Sequence, residues 1–151
     1  MGEERELGVI VMSEKLKLAE TFAEQKHDGQ FDKAGIPYIE HPKKVASMVD
    51  GEEAKIVALL HDTVEDTSAT VEEIRSMFGD RVADAVACLT HDKSVPYMDY
   101  LAKIKENDLA RKVKLADLKH NMDLSRIPNV TDADVQRINT KYLPAFKMLS
   151  K

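Results

Sequence analysis

Residues 54–67 read AKIVALLHDTVEDT, an apolar helix that ends in a cluster of ionisable side chains. An unbroken apolar run, Ile56 to Leu60, leads directly into His61-Asp62 and then into Glu65-Asp66. Read as helix, it places His61 and Glu65 on one face, with Asp62 and Asp66 paired in the same way. An imidazole and several carboxylates are then packed into adjacent turns at the end of a buried segment. Such a cluster is costly at the edge of a core unless something positive neutralises it. A divalent metal supplies that charge, because imidazole together with carboxylates suits Mn, Fe, Zn or Mg. The plainer alternative is an exposed acidic turn whose histidine is satisfied by hydrogen bonds.

Outward from this stretch the period stays helical. Leu16, Ala19, Phe22 and Ala23 form one stripe of a first helix, with Ser13 as its expected N-cap. The stretch HDGQFDKAGIPYIEHP, residues 27–42, breaks the period at Gly29, Gly35 and Pro37. Pro42 then suits the first position of a helix through Val45, Met48 and Val49, closed by Asp50-Gly51. Glu52 to Glu65 is expected as one nearly continuous helix. Thr70 and Glu73 have the spacing of a capping box, and Phe78-Gly79 ends the helix they start. Further helices are expected from Asp80 through Leu89, up to about Asn107, over Ala110 to Met122 and over Asp132 to Leu149. No segment keeps a strand period. The expectation is an all-α protein of about seven to nine helices, with residues 1–151 forming a single domain.

The totals exclude several classes. The chain has 151 residues, enough for a proper core without staples. Lys+Arg 22 against Asp+Glu 27 gives a net charge of −5, which opposes nonspecific nucleic-acid binding. A local basic patch or a bound metal still permits a small anionic substrate. The one cysteine, Cys88, lies in an apolar run without a partner, as suits a reducing, cytoplasmic setting. The N-terminal MGEERELGVIVM has acids where a secretory signal needs bases, and no stretch is long and apolar enough to cross a membrane. The sequence leaves the oligomeric state open.

Of the five histidines, His41 stands at the start of a helix behind the Gly/Pro loop, in YIEHPKKVA. The segment KVKLADLKHNM, residues 112–122, places Asp117 and Asn121 an i,i+4 step apart within an apolar surround. An Asp there needs a partner, either Lys114 or a metal. His120 beside them reads as supporting rather than ligating. Combined, His41, His61-Asp62 and Asp117 would form a site for one divalent ion with open positions for water or a substrate oxygen. Such an ion acidifies water, which gives Glu65 and Asp66 a role as general base or water-orienting groups.

These residues carry a resemblance. His41, His61-Asp62 and Asp117 match the H…HD…D pattern of the HD superfamily of metal-dependent phosphohydrolases. More closely, GIPYIEHPKKVASMV, ALLHDTVEDT, IRSMFGDRVADAVACLT and KVKLADLKHNM resemble, in order, the (p)ppGpp hydrolase domain of RelA/SpoT-type enzymes and single-domain small alarmone hydrolases. The resemblance covers residues 15–128. It implies a helical HD fold, one divalent ion of the Mn²⁺ type, and hydrolysis of the 3′-pyrophosphate of guanosine-3′,5′-bis(diphosphate). His41, His61, Asp62 and Asp117 would be the metal ligands, Glu65 and Asp66 the catalytic acidic pair, and Asn121 a nucleotide contact. Lys33, Lys44 and Lys114 are further candidates for substrate phosphate. The chain departs from the family pattern at Asp32, where an arginine suited to stacking on guanine is usual, and at Asp123, where a basic residue is common. A carboxylate does not stack as guanidinium does, and it repels phosphate. The alternatives are therefore an HD phosphohydrolase acting on another nucleotide or phosphoester, and a nonenzymatic nucleotide-binding relative.

Overall fold

A computed structural model describes the backbone of residues 2–151 and the side chains from Glu14 onward. The chain runs through α1 (Gly2–Lys26), α2 (Glu40–Ser47), α3 (Glu52–Leu60), α4 (Thr63–Asp66), α5 (Val71–Phe78), α6 (Asp80–Leu89), α7 (Tyr97–Glu106), α8 (Asp108–Asn121), α9 (Asp132–Arg137) and α10 (Leu143–Ser150). A 3₁₀ turn, Leu124–Arg126, follows α8, and a π turn, Ile138–Tyr142, joins α9 to α10. Among the described residues the only extended pairing is an isolated bridge between Phe31 and Pro37. The fold is all-α, as the periodicity predicts.

Helix α3 is the axis of the core. Ile56, Val57, Ala58, Leu59 and Leu60 are all buried, so this helix has no solvent face along that run. Each fully buried Leu, Ile or Val is worth about 1.5–3 kcal/mol relative to exposure. α3 packs on α1, α2, α6 and α8. α8 answers it with Val113, Ala116 and Leu118, all buried in the same cluster. The α2, α3 and α8 packing therefore fixes where His41, His61 and Asp117 meet.

The capping signals act as expected. The Thr70 hydroxyl accepts from the Glu73 amide at 3.1 Å, and the Glu73 carboxylate accepts from the Thr70 amide at 3.1 Å. Gly79, at φ +93°, ends α5 in a conformation that side chains rarely adopt. α2 begins at Glu40, two residues before the start expected at Pro42; Pro42 instead lies in its first turn, where its missing N–H would have found no helical partner.

Three boundaries differ from expectation by more than two residues. α1 passes through Ser13 rather than starting there, because the residues before it, Glu3-Glu4-Arg5-Glu6-Leu7, are strong helix formers. The helix expected over Asp132 to Leu149 is interrupted by the π turn. Pro144 offers no N–H to Thr140 and its ring crowds that carbonyl, so the spiral widens just before it. Most important, the helix expected over Glu52 to Glu65 ends at Leu60. The Thr63 hydroxyl donates to the Leu60 carbonyl at 2.8 Å, and His61 Nδ1 donates to the Ala58 carbonyl at 2.5 Å. Side chains thus occupy carbonyls that helix amides would have used. The chain opens at Asp62 (φ −102°, ψ −4°) before the single turn of α4. The His-Asp pair sits at a break, not on a helix face.

Truncation separates core from cap. Leu118→Ala, at a fully buried position on α8, should lose about 2–5 kcal/mol, and Thr70→Ala about 1 kcal/mol. Urea titration of both variants checks this, and equal losses would contradict the assignment of α8 to the core.

Candidate functional site

Three ligand-type atoms converge where the ends of α2, α3 and α8 meet. Side-chain donor atoms of His41, His61 and Asp117 all lie within 4.8 Å of one another. His41 Nε2 stands 2.7 Å from Asp117 Oδ1, and His61 Nε2 stands 3.4 Å from the same oxygen. His61 is 2% exposed and Asp117 5%. Asp62 lies beside this group, with Oδ2 at 3.1 Å from His61 Nε2. That same oxygen accepts a hydrogen bond from the Tyr38 hydroxyl.

The tautomer of His61 follows from its partner. A backbone carbonyl only accepts, so Nδ1 carries the proton donated to Ala58, and Nε2 is the nitrogen turned to the cluster, open to a second proton or a metal. Nε2 is buried and, despite its neighbouring carboxylate oxygens, makes no properly directed hydrogen bond. A buried imidazole nitrogen held this way and aimed at carboxylates fits a cation. His41 is supported similarly. Its ring stacks on His120 at 4.9 Å, with the two Nδ1 atoms 2.6 Å apart. Burial, then the charges of His41 and Arg126, push His120 down to about 4, so it is neutral near pH 7. The Nδ1 contact with His120 turns His41 Nε2 toward the centre.

Charge is concentrated in the same place. Burial alone would raise the Asp117 carboxyl, but the Lys114 ammonium and the two imidazoles hold it well below the usual carboxylate range. Burial likewise opposes ionisation of Asp62, yet the charge and hydrogen bonding of His61 bring it down to about 2. Burial lowers the His61 imidazole, but the charges and hydrogen bonding of Asp62 and Asp117 outweigh it and push it well above its usual value. A positive charge between Asp62 and Asp117 is therefore favoured, whether proton or metal. The donor set of two imidazoles and carboxylate oxygens fits a divalent ion.

The cluster opens into a cavity of about 460 Å³. Glu65 and Asp66 line it, and Glu65 Oε1 accepts from the His91 backbone amide at 2.6 Å. This bond fixes the Glu65 carboxylate after the helix break removes it from the His61 face. Burial, followed by the charges of Asp62 and Glu65, raises the Asp66 carboxyl. Lys114 and Asn121 line the cavity too, but both serve Asp117: Lys114 Nζ is 3.1 Å from Oδ2, and Asn121 Nδ2 donates to Oδ1 at 3.2 Å. Lys33 lines the wall while its ammonium reaches Asp134 across the chain at 3.4 Å. Lys44, one turn beyond His41 on α2, is exposed to solvent and is not part of this wall.

Asp32 also finds a structural use. Its Oδ1 accepts from the amides of Ala34 at 2.8 Å and Ile36 at 3.0 Å, closing its own loop. Asp123 caps the 3₁₀ turn in the same manner, through the Ser125 amide and hydroxyl. Sequence reasoning passed over Tyr38, His91, Tyr97, Arg126 and Lys141. Tyr38 was within reach, since it belongs to the quoted GIPYIEHP segment; the others carry no local signal.

A profile of the HD domain family matches residues 19–138 of this geometry's chain. The chain belongs to the HD domain family. This HD domain is 43% identical over 119 residues to the guanosine-3′,5′-bis(diphosphate) 3′-pyrophosphohydrolase MESH1 of Danio rerio, covering 70% of this chain and 66% of that one. It is 44% identical over 89 residues to the guanosine-3′,5′-bis(diphosphate) 3′-pyrophosphohydrolase of Aquifex aeolicus, covering 56% of this chain but 13% of that one. A GTP pyrophosphokinase rsh of Brucella ovis is 38% identical over 122 residues, 71% of this chain and 16% of the relative. The match thus spans less than two thirds of each of these relatives. Among solved structures, a metazoan ortholog of SpoT, described as hydrolyzing ppGpp, superposes with a TM-score of 0.71 at 28% identity, covering 89% and 84% of the two chains. The likeness to RelA/SpoT-type proteins noted in the motifs extends to the HD fold as a whole.

Titrated with Mn²⁺, the HD domain should take up about one equivalent and gain about 2.7 kcal/mol of stability at a hundredfold excess over Kd. Asp117→Ala should abolish both effects. Unchanged metal content in that variant, read by elemental analysis after dialysis, would remove the cluster as a metal centre.

Proposed function

We propose that this HD domain is a metal-dependent phosphohydrolase that removes the 3′-pyrophosphate of guanosine-3′,5′-bis(diphosphate). The observation that carries the reading is His61 Nε2, a buried nitrogen without a hydrogen bond, facing Asp117 and His41 beside a cavity lined by acids and cations. The names of the relatives from Danio rerio and Aquifex aeolicus supply the substrate.

His41, His61, Asp62 and Asp117 would hold one divalent ion, Mn²⁺ in the first instance. Bound there, the ion supplies Lewis acidity and neutralises phosphoryl charge. Glu65, held by the His91 amide at 2.6 Å, orients the attacking water and accepts its proton. Asp66, whose carboxyl is raised by burial and by the charges of Asp62 and Glu65, stands next to it. Lys114 and Asn121 act first on Asp117, keeping its oxygens ionised and directed; from the same wall they can meet the substrate. No protein nucleophile is needed, because phosphoryl transfer is mostly positioning and charge neutralisation. Cys88 fits that account: burial raises its thiol, and it does not line the cavity. Its unpaired thiol also supports a reducing, cytoplasmic setting.

A second reading, hydrolysis of another nucleotide or phosphoester, is favoured by Asp32, whose carboxylate is folded into its own loop and cannot stack on guanine. A nucleotide panel with Mn²⁺ separates the two. Release of pyrophosphate from guanosine-3′,5′-bis(diphosphate) should exceed hydrolysis of GTP or simple esters, and faster turnover of another nucleotide would select the second reading. Glu65→Gln should lower turnover by about 10²–10⁴-fold while Mn²⁺ affinity is kept. Equal loss of both would make Glu65 structural.

A further inference from the structure

The cavity is lined by five cationic side chains outside the histidines: Lys33, Lys114, Arg126, Arg137 and Lys141. Three of them are already neutralised. Lys114 is paired with Asp117 at 3.1 Å, while Lys33 and Arg137 share the buried Asp134 carboxylate at 3.4 Å each. Arg126 and Lys141 have no carboxylate partner among the described residues. Arg126 sits on the 3₁₀ turn after α8, where its Nε donates to the His120 carbonyl at 3.1 Å. That bond fixes the guanidinium plane and leaves its two terminal nitrogens to the cavity, the fork that suits a phosphate. Lys141 comes from the π turn, and its ammonium lies over the Tyr97 ring at 5.1 Å. An aromatic face orients the ammonium without cancelling its charge.

We propose that Arg126 and Lys141 form an anion subsite for the diphosphate that is not cleaved. They would thereby set a preference for nucleotides phosphorylated at two separate positions. The inference rests on the function proposed above, in which the scissile pyrophosphate occupies the metal centre. That centre carries Asp62, Asp117, Glu65 and Asp66, so an anionic ligand needs compensation from elsewhere on the wall. Free cations from two different elements provide it. Asp32 and Asp123 form no ion pair with either cation: each carboxylate is hydrogen-bonded to backbone amides of its own turn, and Asp123 feels the Arg126 charge only at a distance.

The test compares guanosine-3′,5′-bis(diphosphate) with guanosine 3′-diphosphate as substrates, in the Mn²⁺-loaded wild type, Arg126→Ala and Lys141→Ala. The wild type should prefer the doubly phosphorylated compound in kcat/KM, chiefly through KM. Each variant should shrink that preference by about ten- to a hundredfold, and Arg126→Lys should recover part of it. Equal loss on both substrates, or no wild-type preference, would overturn the subsite and leave the hydrolase reading standing. If neither compound is hydrolysed, the hydrolase reading falls, and the subsite is read from the Kd of guanosine 5′-diphosphate. A Kd weakened about tenfold or more in Arg126→Ala supports the subsite, and an unchanged one overturns it.

Discussion

The structure turns on the buried carboxylate of Asp117. Its Oδ1 faces His41 Nε2 at 2.7 Å and His61 Nε2 at 3.4 Å, while Lys114 holds Oδ2 at 3.1 Å. A carboxylate at 5% exposure persists only if it is ionised against positive charge or protonated. Here the surroundings choose ionisation. Much of the fold can be understood as what holds that arrangement: α3 and α8 packed through their apolar faces, His120 behind His41, Tyr38 against Asp62, and the Ala58 carbonyl fixing the His61 ring. A cation is the remaining component that the arrangement favours.

The all-α class and most helix boundaries were legible, because they depend on local signals. The Thr70–Glu73 box, Gly79 and the apolar run of α3 each state their role within a few residues. The break after Leu60 was not legible. It depends on two side-chain bonds, from Thr63 and His61, that compete with helix amides by a margin no periodicity reveals. The π turn was half legible: Pro144 announces trouble in a helix, but not whether the chain kinks, ends or widens.

The site divides in the same way. The residues proposed as ligands come from separate elements but carry recognisable surroundings, and His41, His61 and Asp117 are brought together in space. The cations were harder. Lys33 and Lys114 look like phosphate contacts in sequence, yet their nearest charges are Asp134 and Asp117. Arg126 and Lys141 look like ordinary surface residues, and only the folded chain shows which cations lack a carboxylate. Asp32 and Asp123 carry a related lesson. As substitutions they look hostile to phosphate, whereas in the fold their carboxylates are occupied by turn amides.

One divalent ion among His41, His61, Asp62 and Asp117 is what the fold and its chemistry lead to. A crystal grown with Mn²⁺ and measured at the manganese absorption edge tests it directly. A single anomalous peak is expected within bonding distance of His41 Nε2, His61 Nε2 and the carboxylates of Asp62 and Asp117. A peak elsewhere in the cavity, or none while His61 Nε2 stays buried and bare, would contradict it.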